Sequence, residues 1–155
     1  MAVEKGVVVL PAAGTFTQNT FDTNISSDSK FGMEITGFKA YVRSRDATGI
    51  EVPESNLIEC ILSTRITTIT TPDEPEEIAR VGWGLSFSTA SGFAVSTPEK
   101  SVILLEPRLT VQPTIYIGVK GSTTIGAITD IYYEFSYNIV KLADIELLRL
   151  LVGGV

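Results

Sequence analysis

Three glutamates, Glu34, Glu59 and Glu134, alternate with apolar neighbours and are the residues most open to a catalytic reading. Two carboxylates suffice for glycoside hydrolysis, one as acid and the other as nucleophile or base. Period-two alternation, however, turns each of them to the polar face of a strand, toward solvent or a neighbouring molecule rather than into a desolvated pocket. The chain has no histidine, which removes the commonest general base, the commonest metal ligand and every His-dependent triad. Cys60 stands alone, so no intrachain disulfide exists, and its flanks Ile58 and Leu62 mark an inert buried thiol. No phosphate-cradling glycine loop or Ser-x-x-Lys motif is present. The dense acidic segment TPDEPEE carries Asp73, Glu74, Glu76 and Glu77. Calcium accepts such oxygens, yet two prolines and the lack of EF-hand spacing make this a solvated turn. The expectation is a protein that is not an enzyme and holds no metal or cofactor.

Other patterns carry less. TRITTITT is β-favourable sequence, since an ice-binding threonine ladder needs many stacked copies. Asn24–Ser26 (NIS) matches a glycosylation sequon by pattern alone. Trp83 and Tyr133 could stack a sugar, but both fall on apolar strand faces and are read as core. Tyr41, Tyr116 and Tyr132 lie on the opposite phases and are candidates for exposure.

The elements that position these residues follow from the rest of the chain. At 155 residues, with 44% hydrophobic and 19% charged residues, it has the composition of one folded domain able to bury a real core. Net charge is -6 and the twelve Lys and Arg are scattered singly. Direct nucleic-acid binding through a basic stripe or arm is therefore excluded. The opening MAVEKGVVVLPAAG imitates a signal peptide, but Val7–Leu10 is short for an apolar segment and Glu4 sits where basic residues belong. It reads as a strand at Gly6–Leu10. No apolar run is long enough to span a membrane as a helix.

Alternation of period two dominates the chain. In DIYYEFSYNIV, Ile131, Tyr133, Phe135, Tyr137 and Ile139 share one face. In LIECILSTRITTIT, Ile58, Cys60, Leu62, Thr64 and Ile66 do so, and in IARVGWGLSF the core face is Ala79, Val81, Trp83, Leu85 and Phe87. Gly82 and Gly84 flank the tryptophan, a pattern that marks a close backbone approach or a sharp twist. FGMEITGFKAYVRS changes phase at Gly37, from Phe31, Met33 and Ile35 to Phe38, Ala40 and Val42, the signature of a β-bulge. Shorter strands follow at Val102–Leu105, around Leu109–Val111 and at Thr114–Lys120.

The turn signals PAAG, SSDS, RDATG, TPDEPEE, ASG, STPEK, EPR and KGST separate these segments. Asn19 to Lys30 reads as a long irregular surface loop. Regular strands with no helical stretch before residue 142 describe an all-β protein: an antiparallel two-sheet sandwich, jelly-roll-like, of about eight strands. One domain spans 1–155. Residues 1–30 form an N-terminal strand and arm, 31–141 the sandwich, and 142–155 an apolar C-terminal tail.

That tail, KLADIELLRLLVGGV, fits a short helix with Asp144 as N-cap and Gly153–Gly154 as its stop. Ile145, Leu147, Leu148, Leu150, Leu151 and Val152 leave Glu146 and Arg149 as its polar projections. Two turns of helix are marginal alone in water and need a surface. The strand faces already supply a core, so these six residues are the candidate subunit interface; packing over the chain's own sandwich edge is the alternative.

Strand count, loop chemistry and the extension IYYEFSYNIVKLADIELLRLLVGGV together resemble the small single jelly-roll coat proteins of icosahedral viruses. The resemblance implies a capsid subunit that assembles with copies of itself and with other shell proteins, and a place in the virion. The sequence departs from that pattern in one respect. Residues 1–30 hold Lys5 and Lys30 against Glu4, Asp22 and Asp28, a net of -1, so no basic arm packages a genome. A filament or pilus subunit that donates Gly6–Leu10 to a neighbouring sheet, and a carbohydrate- or receptor-binding module using exposed tyrosines, are the rival readings. Both would sit outside the cell or at its surface.

Overall fold

The computed structural model describes residues 1–26, 30–44, 56–65, 76–88, 92–95, 99–121, 125 and 128–153. The strands are β1 (Ala2–Leu10), β2 (Thr17–Asp22), β3 (Phe31–Ser44), β4 (Asn56–Ser63), β5 (Glu77–Ser88), β6 (Gly92–Val95), β7 (Glu99–Thr110), β8 (Thr114–Gly121) and β9 (Thr129–Lys141); a helix, α1 (Asp144–Gly153), follows. They form a four-stranded sheet of order β1-β9-β3-β7 and a five-stranded sheet of order β2-β8-β4-β5-β6. All pairings are antiparallel.

The order has a simple origin. Pairing β1 with β9, β2 with β8, β3 with β7 and β4 with β5 makes one long hairpin with four successive segments. Rolling that hairpin brings β9 beside β3 and β8 beside β4, which closes two facing sheets. This is a jelly roll, with β6 added at the edge of the second sheet.

The core lies between the sheets and is built by alternate residues, as period two requires. Val8 and Leu10, then Met33, Ile35, Phe38 and Ala40, then Ile131 and Phe135 come from the first sheet. Ile58, Cys60, Leu62, Val81, Trp83, Ile115, Ile117 and Val119 come from the second. Each such aliphatic or aromatic side chain contributes about 1.5–3 kcal/mol on full burial. The side chains of Ile66, Leu85 and Phe87 lie outside the described residues. Phe31 and Ile139, near the ends of β3 and β9 and both of core parity, are 47% and 52% exposed.

The bulge falls where the phase changes. Register shifts between Ile35 and Gly37 against both β7 and β9, with Thr36 as the extra residue. The Thr36 hydroxyl donates to the Ser136 carbonyl at 3.2 Å. A second irregularity on β7 carries the pairing from Arg108 to Ile103 across that same step, so residues 104–107, Pro107 among them, have no register partner on β3. Proline has no N–H for the ladder, and a bulge accommodates it. The two short strands expected here are therefore one.

Two further expectations are corrected. The segment from Asn19 is strand as far as Asp22; TQNTFD is a polar edge strand whose alternation is too weak to read. Asn19 Nδ2 donates to the Val7 carbonyl at 2.6 Å, stitching β2 to β1 at the rim. Gly84 marks no close approach, since a Cβ there would meet nothing within 4 Å; a Cβ on Gly82 would meet Leu57 in ordinary contact at 3.4 Å.

Burial pushes the Cys60 thiol far above its ordinary value of 9.0. The unfolded chain loses this proton near that value and the folded chain keeps it. Stability is thus fully present below about pH 9 and falls by about 1.4 kcal/mol per pH unit above it. Cys60→Ala is expected to flatten that alkaline slope in urea melts, and an unchanged slope would show that other groups set it.

Candidate functional site

The tail begins in a fixed way. The Leu142 N–H donates to the Lys30 carbonyl at 2.8 Å, and its buried side chain covers Gly32. A Cβ on Gly32 would lie 3.1 Å from Leu142 and 3.0 Å from Leu109, so glycine there makes the seat. The Ala143 carbonyl accepts from the N–H groups of Glu146 and Leu147, each at 3.0 Å. Ala143 is therefore the N-cap, one residue before the one expected, and Asp144 opens the first turn. Its carboxylate pairs with Lys30 at 2.8 Å in an exposed bridge. With Glu146 it places negative charge at the positive end of the helix.

The structure divides the six candidate interface residues. Leu147 and Leu150 are half-buried against the chain itself. Leu148, Leu151 and Val152, three and four positions apart on one helix face, are 61%, 41% and 88% exposed. The side chain of Ile145 lies outside the described residues. Among the described residues, the buried core cluster includes none from α1.

The strand carboxylates are separated and partnered. Glu134 meets Lys5 at 2.9 Å, and that hydrogen bond holds its carboxyl below the usual range. Glu34 accepts from Asn138 Nδ2 at 3.3 Å. On the other sheet Arg80 bridges Glu77 at 2.7 Å and Glu59 at 2.8 Å; hydrogen bonding to Glu77, above all, raises the guanidinium further. Glu59 thus lies a sandwich's thickness from Glu34 and Glu134, and the separation denies it a role in a dyad with either. Of the acidic segment, Glu76 pairs with Arg65 at 3.4 Å and Glu77 with Arg80. Asp73 and Glu74 lie outside the described residues, as do Thr67, Thr68, Thr70 and Thr71. No group of three His, Cys, Asp or Glu that could hold a metal occurs among the described residues, and no described helix is long and apolar enough to cross a membrane.

Among the aromatics, Trp83 is 1% and Tyr133 7% exposed, both in the core. The Tyr133 ring lies where a side chain on Gly6 would stand, 2.8 Å from its Cε1, and burial raises the phenol above its ordinary pKa. Tyr41 and Tyr132 are outward and exposed, their rings 6.4 Å apart; Tyr116 is half-buried on the other sheet. Alternation assigns Tyr41 and Tyr132 to outer faces. Their meeting depends on β3–β9 register, for which the sequence has no local signal. β1, the proposed donor strand of a filament, pairs with β9 from Ala2 to Leu10 and buries Val8 and Leu10 in its own core.

No protein-family model and no curated protein sequence matches the chain. Among solved structures it is similar to VP1 of Trichodysplasia spinulosa-associated polyomavirus, with a TM-score of 0.50 and 8% identity over 90% of this chain and 96% of that one. Merkel cell polyomavirus VP1 in complex with disialyllactose gives 0.45 and 9% over 90% and 95%. The Yersinia pseudotuberculosis-derived mitogen gives 0.38 and 7% over 92% and 87%. The first of these likenesses, with the strand order above, establishes the fold: the chain is a capsid-like β-sandwich, a jelly roll of the kind found in viral capsid proteins.

Proposed function

We propose that this chain, a single domain over residues 1–155, is a non-enzymatic shell subunit of a virion that acts by assembling with copies of itself. The observation that carries the reading is the unpartnered face of α1. Leu148, Leu151 and Val152 stand exposed on a helix that contributes no described residue to the buried core of its own sandwich. Burying them on a neighbour gains about 1.5–3 kcal/mol per side chain, less the cost of ordering the contact. Repetition around a closed assembly then multiplies weak contacts by avidity. By helical spacing Ile145 extends the same face, three positions before Leu148. The half-buried Leu147 and Leu150 hold the helix to its own chain, and the Lys30–Asp144 bridge and the Leu142 seat fix where it begins. The jelly-roll likeness to VP1 supports this reading at the level of the fold.

The test compares the full chain with one stopped after Lys141, by light scattering after size exclusion and by negative-stain imaging. Large particles from the full chain and folded monomers from the shortened one are the expected result. A full chain that remains a monomer at 16.7 kDa would refute self-assembly, and particles unaffected by the truncation would remove α1 from the contact.

A further inference from the structure

The outer face of the first sheet carries a second feature that assembly through α1 does not use. Strand register places its outward residues in rows. One row crosses three strands as Lys5, Glu134 and Lys39, and the next as Val7, Tyr132 and Tyr41. Between these rows lies an open pocket of about 180 Å³ lined by both lysines, the glutamate and both tyrosines. Tyr41 and Tyr132 are 39% and 40% exposed, although large aromatics on a sheet surface cost free energy when left against water.

We propose that this pocket is a saccharide site that takes one pyranose ring. Its volume is below the roughly 300 Å³ at which pockets for extended small molecules begin, so it fits one ring. The tyrosine faces offer flat apolar surface to the C–H side of that ring. The polar row sorts the rest of the chemistry. Ammonium groups only donate and a carboxylate only accepts, so the occupant must carry acceptors and donors side by side. Hydroxyl groups do both. Glu134 is already paired with Lys5 at 2.9 Å, and the two lysines against one carboxylate oppose a cationic ligand, whereas an apolar side chain from a neighbour would strip water from three charges without repaying them. The assignment stands whether or not the chain forms shells.

Saturation-transfer NMR on the full chain with the methyl glycosides of glucose, galactose and mannose tests it, with sorbitol as a polyol that lacks a ring face. The expected result is transfer to protons on one side of the ring for at least one glycoside and none to sorbitol. Tyr132→Ala should weaken binding roughly tenfold through loss of the stack. Lys39→Met, which leaves both rings in place, should weaken it while keeping the same protons labelled. Tyr132 is outward and Lys39 is at the surface, and circular dichroism checks that each variant keeps its strands. Absence of transfer from all three glycosides, equal transfer to sorbitol, or binding unchanged in both variants would overturn the assignment.

Discussion

Phe38→Asp is expected to leave no folded protein. β3 lies inside its sheet, between β9 and β7, and Phe38 is a core residue 2% exposed. Burial of even one unpaired charge costs several kcal/mol, against a total stability of about 5–15 kcal/mol for a domain. Deleting Thr36 is the contrast. Thr36 is the extra residue of the bulge, and without it Met33, Ile35, Phe38, Ala40 and Val42 alternate in one unbroken register, all toward the core. The deletion loses the hydrogen bond to Ser136, about 0.5–1.5 kcal/mol, and is expected to fold. Soluble yield and far-UV circular dichroism separate the two variants, and a Thr36 deletion that fails to fold would show that the bulge itself is required.

Trp83→Ala is the second large effect, an expected loss of about 3–5 kcal/mol. The indole is among the largest fully buried side chains, packed where the two sheets face each other, and its removal leaves a cavity that neighbours on a rigid sheet fill poorly. The adjacent position should respond with the opposite sign. Gly84 points outward with open space around it, so Gly84→Ala restricts the unfolded chain and gains about 0.4–1 kcal/mol. Urea unfolding of the two variants measures both. If Gly84→Ala destabilises, the site requires the freedom of glycine for a reason the open surroundings do not supply.

Much of this architecture was legible because burial writes itself into alternation. DIYYEFSYNIV announces β9, the change of phase around Gly37 announces a bulge, and Trp83 falls inward by parity alone. Legibility fails where a strand has no buried face to declare. β2 carries Phe21 among polar residues at a sheet edge, and β7 hides its continuity behind Pro107. Long-range placement is a further limit. Tyr41, Tyr132, Lys5, Lys39 and Glu134 come from three strands spread along the chain, and parity gives each an outward face without the register that joins them. For the tail, the aliphatic run predicts a helix. Which leucines rest on the sandwich and which stand clear depends on the Leu142 seat, a contact with Gly32 and Lys30 from much earlier in the chain.

The rolled hairpin has a consequence for how this protein comes off the ribosome. β1 is made early and β9 late, yet they are partners, with Ala2 opposite Tyr137. Most of the chain must therefore be synthesised before the first sheet can close. Such non-local pairing slows folding relative to helical domains of similar size, because loop-closure entropy is paid before contacts return it. Until β9 arrives, Val8 and Leu10 lack their enclosure and β3 has an unpaired edge, the kind of surface that joins chains indiscriminately. The face of α1 is made later still, just after β9. That order of synthesis holds back the exposed face of α1, the contact proposed for joining copies, until the sandwich that carries it has become able to fold.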